Sequence, residues 1–313
     1  MTGQMVIVTN QIIVFSILML IGFAAAKTNV LTKDALQIVS RLIVKIILPA
    51  LIFSVVAGSG VTLQDFFISG SFALAVMLCF AVLSLSGVIM SKLCRLEGKT
   101  ANIFIALSTF SNIGFMGIPL IQSLFVEPVA QVCIFVYTLV DMALLWTYGV
   151  YLCSRHQQHA DSLKAVKNII NPTTIALTLA FIMLVLNIRL PAPLINTISG
   201  LGGTSKYLAL MYLGGALAYV SLNSIFKRPG ILALAIVKMV IVPVIAYYCL
   251  GFFLPQIPRV ILTLIVSLPP MTTIAMLAST YQSADEYAAE VIFVLTVASL
   301  ITIPSVSAIT SMM

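Results

Sequence analysis

The chain has 313 residues, of which 61% are hydrophobic and only 8% charged, with a mean hydropathy of +1.16 and a net charge of +7. So few polar side chains cannot cover a soluble globule of this size, and the composition points instead to a polytopic membrane protein. The alternating polar and apolar positions of a barrel are absent, so an all-α fold is expected.

Apolar runs separated by short polar punctuation predict ten transmembrane helices, near residues 10–26, 41–58, 67–91, 101–125, 129–153, 172–188, 201–222, 231–253, 260–282 and 288–311. Ala24-Ala25-Ala26 resembles a signal-peptide cleavage site, but no Lys or Arg precedes it, and a retained first span is expected. Lys27, Lys33 and Arg41, then Lys92, Arg95 and Lys99, then Arg155, Lys164 and Lys167, then Lys227 and Arg228 flank alternate loops, whereas the intervening loops offer mainly Arg189 and Arg259. The positive-inside rule then places the loop after span one in the cytoplasm and both termini outside it, in the plasma or inner membrane of the cell. The same distribution argues against a nucleic-acid partner; the partners expected are the bilayer and a small solute.

Span four is interrupted by Ser111-Asn112-Ile113-Gly114-Phe115-Met116-Gly117-Ile118-Pro119, and span nine, about 158 residues later, by Ser267-Leu268-Pro269-Pro270-Met271-Thr272-Thr273. In a helix interior Gly costs about 1 kcal/mol and Pro about 3 kcal/mol relative to Ala. Backbone groups left unpaired in hydrocarbon cost several kcal/mol more. Matched breaks in two halves point to a transporter binding site at the bilayer midplane. Five spans precede the polar segment that starts at Ser154 and five follow it, so residues 1–156 and 157–313 are expected to form two inverted five-helix repeats whose broken helices four and nine cross.

The breaks also suggest the charge of the solute. Pro119 and Pro270 suit the first turns of new helices. Two half-helix N-termini would face the crossing, each equivalent to about half a positive charge, and could hold a carboxylate without a dedicated Arg. Asn112, Thr272 and Thr273 would add polar side chains, and Gly114 and Gly117 would let a ligand approach the backbone, so the substrate site is expected at Asn112, Gly114, Gly117, Pro119, Pro269, Pro270, Met271, Thr272 and Thr273. Asp141 falls at the centre of span five, where insertion costs about 3 kcal/mol. Lys238 in span eight could reach toward it, making either a proton- or cation-responsive switch or a static charge pair; an Asp hydrogen-bonded to backbone is the third reading. Lys45, one turn beyond Arg41, is expected to snorkel to the cytoplasmic surface.

Other chemistries find little support. His156 and His159 lack a third ligand, Leu93 stands where a phosphate-binding loop ending in Gly98-Lys99-Thr100 needs Gly, and the five cysteines form no C-x-x-C pair. No metal, cofactor or enzymatic activity is expected. Gly22 with Ala26, and Gly214 with Ala218, have the small-residue spacing that permits close helix contact, either within the subunit or between subunits.

Leu48-Pro49-Ala50-Leu51-Ile52-Phe53, the Ser111–Pro119 segment, Leu213-Gly214-Gly215-Ala216-Leu217-Ala218, Lys238 to Pro243, Pro269-Pro270 and Thr302-Ile303-Pro304 together resemble the auxin efflux carrier family, bacterial type, over essentially the whole chain. The resemblance implies a fold shared with the bile acid:sodium symporters, a scaffold of spans one, two, six and seven, a core that slides against it, and a homodimer. It also implies organic-anion substrates: malate or malonate in bacterial relatives, auxin in the plant carriers, whose large hydrophilic central loop this chain lacks. The coupling ion stays open between a proton and Na⁺. A sodium-coupled symporter of the bile acid type and a non-transporting membrane sensor are the alternative readings.

Overall fold

The computed structural model describes residues 3–57, 70–125, 127–156, 172–186, 188, 190–219 and 229–311. The expected boundary after residue 156, together with Asp65, His159, Lys164, Lys167, Arg189, Lys227 and Arg228, adjoins or lies outside them.

The described residues are helical apart from turns and one isolated backbone bridge. In chain order the helices are α1 (Gly3–Lys27), α2 (Lys33–Ala57), α3 (Gly70–Leu93), α4 (Gly98–Thr109), α5 (Ile113–Leu124), α6 (Pro128–Ser154), α7 (Pro172–Val185), α8 (Ala192–Gly203), α9 (Ser205–Leu217), α10 (Gly230–Leu250), α11 (Gln256–Ser267), α12 (Thr272–Thr280) and α13 (Asp285–Ser311). Five helices, α2, α3, α6, α10 and α13, are each long and apolar enough to cross a bilayer, and shorter apolar helices accompany them. Large apolar side chains such as Leu20, Leu74, Leu85 and Ile301 stand exposed on outer faces, as lipid contact requires.

The helices pack as two groups. In one, α1 lies along α9, and α2 packs on α7, α8 and α9. These are the segments that the resemblance assigns to a scaffold. In the other, α3 packs on α4 and α6, α10 on α11, and α12 on α13, with α11 also against α6 and α13 against α4. The α1–α9 contact is made of backbone: Gly22 abuts the Met211 carbonyl, and Gly214 abuts the Met19 carbonyl, each leaving no room for a Cβ. Both glycines are therefore occupied within the subunit.

Helix α2 begins at Lys33, two turns before the expected start of span two, because Thr32 caps it by accepting from the Ala35 N–H at 3.2 Å. Arg41 and Lys45 consequently sit inside a helix rather than at its end.

A recurrent distortion accompanies three prolines. π-helical turns span Ile43–Ile47, Ile113–Gly117 and Val237–Ile241, and the second residue after each is Pro49, Pro119 or Pro243. Proline cannot donate to the carbonyl four residues back and its ring collides with it. Widening the preceding turn to the i→i−5 pattern, seen where Leu48, Ile118 and Val242 donate to Ile43, Ile113 and Val237, relieves the collision without ending the helix.

Candidate functional site

The two sequence breaks meet. Ser111 and Pro270 form an antiparallel bridge in which the Asn112 N–H donates to the Pro269 carbonyl at 2.9 Å and the Met271 N–H donates to the Phe110 carbonyl at 3.0 Å. Ser111 and Pro270 are thus the pair that exchanges no hydrogen bond, and Pro269 only accepts, so neither proline's missing N–H costs the bridge a bond. Each break satisfies its backbone with the other.

Beyond the bridge, α5 starts at Ile113 behind Asn112, and α12 starts at Thr272 behind Met271. Their first-turn N–H groups, including those of Gly114 and Thr273, have no intrahelical carbonyl to bond. Pro119 lies in the first regular α-turn after the π turn, so the free N-terminus of this half-helix is more than a turn earlier than the proline suggested. Pro270 lies in the bridge, two residues before α12, rather than in its first turn.

A cavity of about 10 Å³ sits at these N-termini, lined among others by Asn112, Gly114, Phe115, Thr138, Met271 and Thr273. It holds one water at most. Asn112 is 1% exposed; its amide nitrogen lies 3.3 Å from the Thr272 hydroxyl, and its Oδ1 has no partner. The Thr138 hydroxyl, on the facing wall from α6, is likewise unpaired. Because a threonine hydroxyl can donate or accept, rotating the Asn112 amide keeps the contact to Thr272 and turns the NH₂ group toward the cavity. Gly114 leaves its cavity wall open, the nearest side chain being Leu48, whereas Gly117 makes room for Leu268 and Ile113. The structure thus brings Asn112, Gly114, Met271 and Thr273 onto one wall, with Thr272 behind Asn112; Gly117, Pro119, Pro269 and Pro270 shape the crossing from outside it.

Lys238 and Asp141 are both fully buried. Lys238 Nζ donates to the Ser108 carbonyl at 2.8 Å and to Ser111 Oγ at 3.0 Å, so it caps the carbonyl end of α4. It forms no ion pair with Asp141, whose two oxygens have no hydrogen-bond partner. The Tyr137 hydroxyl, one turn before Asp141, lies near Ser111 and so extends a line of polar groups from Lys238 to the neighbourhood of Asp141. Sequence reasoning offered Asp141 as the partner of Lys238 and missed Ser108 and Tyr137, which carry no marking pattern in an apolar helix, and noted Ser111 only as the first residue of the break; Thr138, unpaired at the cavity, was missed because it too lies unmarked in an apolar helix.

Residues 6–165 and 161–307 both match a family model described as a membrane transport protein. No curated protein matches the chain.

Proposed function

The chain belongs to this membrane transport protein family, that of the auxin efflux carriers, and from that premise we propose that it is a secondary transporter of small organic anions. Mono- or dicarboxylates such as malate or malonate, or auxin-like acids, would be carried by alternating access with the carboxylate held at the crossing. One observation carries this reading: two helix N-termini and the unpaired polar atoms of Asn112 and Thr138 converge on one small cavity. A buried polar atom without a partner costs about 1–3 kcal/mol. A ligand that satisfies it recovers that cost. The cavity must widen to admit a carboxylate, as a core moving against a scaffold would allow.

In this reading the protein crosses the membrane ten times, with α4–α5, α8–α9 and α11–α12 each making one span, and residues 1–156 and 157–313 form inverted repeats. The reciprocal bonds of the Ser111–Pro270 bridge and the reciprocal contacts Gly22–Met211 and Gly214–Met19 support a two-fold relation between halves. Lys27 bonds the Ala218 carbonyl and Lys99 the Gln282 carbonyl, which supports a basic end, assigned to the cytoplasm by the positive-inside rule, with both termini opposite. The glycine seam leaves a homodimer to other surfaces.

Asp141 is the coupling group in this reading and a proton the coupling ion. The sodium-coupled alternative needs several oxygen ligands near the breaks; Lys238 already occupies two of the oxygens there, Ser108 O and Ser111 Oγ. The test is uptake of a panel of labelled carboxylates into proteoliposomes, with pH, Na⁺ and voltage gradients imposed one at a time. Carboxylate uptake that follows the pH gradient and is unchanged when Na⁺ is replaced by choline is the expected result. Uptake of no carboxylate would sink the proposal, and a stoichiometric Na⁺ current would favour the symporter.

A further inference from the structure

A second polar cavity, of about 360 Å³, opens between α2, α9 and α12. That volume suits a small organic ligand, which the crossing cavity does not yet admit. Gln37, Arg41 and Lys45 from α2, Tyr212 from α9, and Ser279 and Thr280 from α12 supply its polar wall, and among the described residues no acidic side chain lines it. Tyr212 lies near Ser40, which lines the cavity from α2. Arg41 and Lys45 stand one turn apart on the face of α2 that lines the cavity, and among the described residues neither forms an ion pair or hydrogen bond. They are two unspent cations in a concave site.

The cavity is stacked directly on the crossing. Along α2, Val44 lines this cavity and Leu48, one turn deeper, lines the crossing cavity, a step of about 6 Å. Along α12, Ala275 lines the first and Thr273 the second. An anion arriving here meets the C-terminal end of α12, where the helix dipole is unfavourable, so fixed positive charge is needed to hold it. One step inward it meets the N-terminal end of the same helix, where the dipole is favourable.

We propose that this vestibule is a first binding station for the carboxylate of the transported anion, which Arg41 and Lys45 hold before it passes Leu48 to the crossing; the assignment rests on the organic-anion transport proposed above. If the two cations merely balanced the carbonyl end of α12 they would donate to its last-turn carbonyls, and among the described residues they do not. The cations also sit on α2, in the scaffold group, whereas the crossing is built by the other group. The vestibule therefore joins a fixed wall to a moving one, and the anion changes partners from the first to the second.

Two measurements test the station. In the full-length protein with its five cysteines replaced, Thr280→Cys is labelled by sulfonate-bearing and trimethylammonium-bearing methanethiosulfonates. Malonate should slow the sulfonate reaction, and the sulfonate-to-ammonium rate ratio should fall at least about tenfold when Arg41→Gln and Lys45→Gln are added, a size typical of local electrostatic focusing. An unchanged ratio overturns the proposal. With the native cysteines retained, Arg41→Gln or Lys45→Gln should raise the KM for malonate about fivefold or more with kcat held within about twofold, and Arg41→Lys should stay near wild type. A fall in kcat at unchanged KM also overturns it. Should the wild-type protein carry no carboxylate while malonate still protects Thr280→Cys, the transport reading fails and the vestibule stands as an anion site.

Discussion

The main-chain N–H of Asn112 is bonded to the carbonyl of Pro269, 2.9 Å away, so the residue that offers its amide to the cavity is positioned by the opposite break. Its side chain is held in turn by Thr272, from the helix that the opposite break begins. Asn112 is therefore oriented from both halves of the chain.

Removing the amide should act on transport and not on folding. Asn112→Ala deletes a hydrogen bond to a charged ligand, which is worth about 1.5–3 kcal/mol, so carboxylate uptake should drop roughly 10- to 100-fold. Membrane insertion and the elution profile of the purified protein should be unchanged, since the backbone bridge does not involve the side chain. Asn112→Asp, which puts a like charge at the site, should abolish uptake. Wild-type uptake by Asn112→Ala would remove Asn112 from the site.

Asp141 has no donor within hydrogen-bonding distance, and a carboxylate buried without a partner costs several kcal/mol. Asp141→Asn should leave the fold intact while flattening the dependence of uptake on external pH. Tyr137→Phe, which removes the hydroxyl near Ser111 but keeps the acid, should slow uptake and retain the pH profile. A pH profile in Asp141→Asn that superimposes on the wild type rules out the coupling role.

Pro243 keeps the turn before it wide. With Ala in its place the ladder can close in the i→i−4 pattern, which removes one residue from the turn and rotates the preceding helix by about 100°. Lys238 would swing away from Ser108 and Ser111. Pro243→Ala should therefore reduce uptake at least about fivefold while its melting temperature stays level or rises, because a helix-breaking residue has been removed. Unchanged uptake would show that the wide turn does not set the position of Lys238.

The α1–α9 seam should be intolerant of any side chain. Gly214→Val drives a branched side chain into the Met19 main chain, an overpacking cost of about 1–3 kcal/mol or more that should lower the melting temperature by several degrees. Gly200→Ala, on the open face of α8 with nothing near its Cβ, should be neutral or slightly stabilising. Thermal unfolding of the purified variants, followed by fluorescence, separates the two.

Much of this was legible in the chain. The breaks at Ser111–Pro119 and Ser267–Thr273 stand out because Gly and Pro in an apolar run violate helix energetics, and Asp141 stands out because an acid at the centre of a span is so rare here. What the two breaks do for each other was not legible: the bond from Asn112 to Pro269 joins residues far apart in sequence, and local propensity carries no record of a distant partner. The wide turns were hidden for another reason. Pro49, Pro119 and Pro243 announce a disturbance, but whether it ends the helix or only widens a turn is decided by packing. The start of α2 was set too late because the helix begins at a Thr32 cap, two turns before the apolar run becomes continuous.

The three prolines have one more consequence. Each has no N–H to give to the widened turn before it, so a carbonyl in Ile43–Ile47, in Ile113–Gly117 and in Val237–Ile241 loses its helical donor, beside the vestibule, at the crossing and next to Lys238. Much of the polarity along this route is therefore written in main chain rather than in side chains. Two such proteins could differ at most lining residues and still present a solute with the same array of carbonyls and amides, provided the prolines stay where they are.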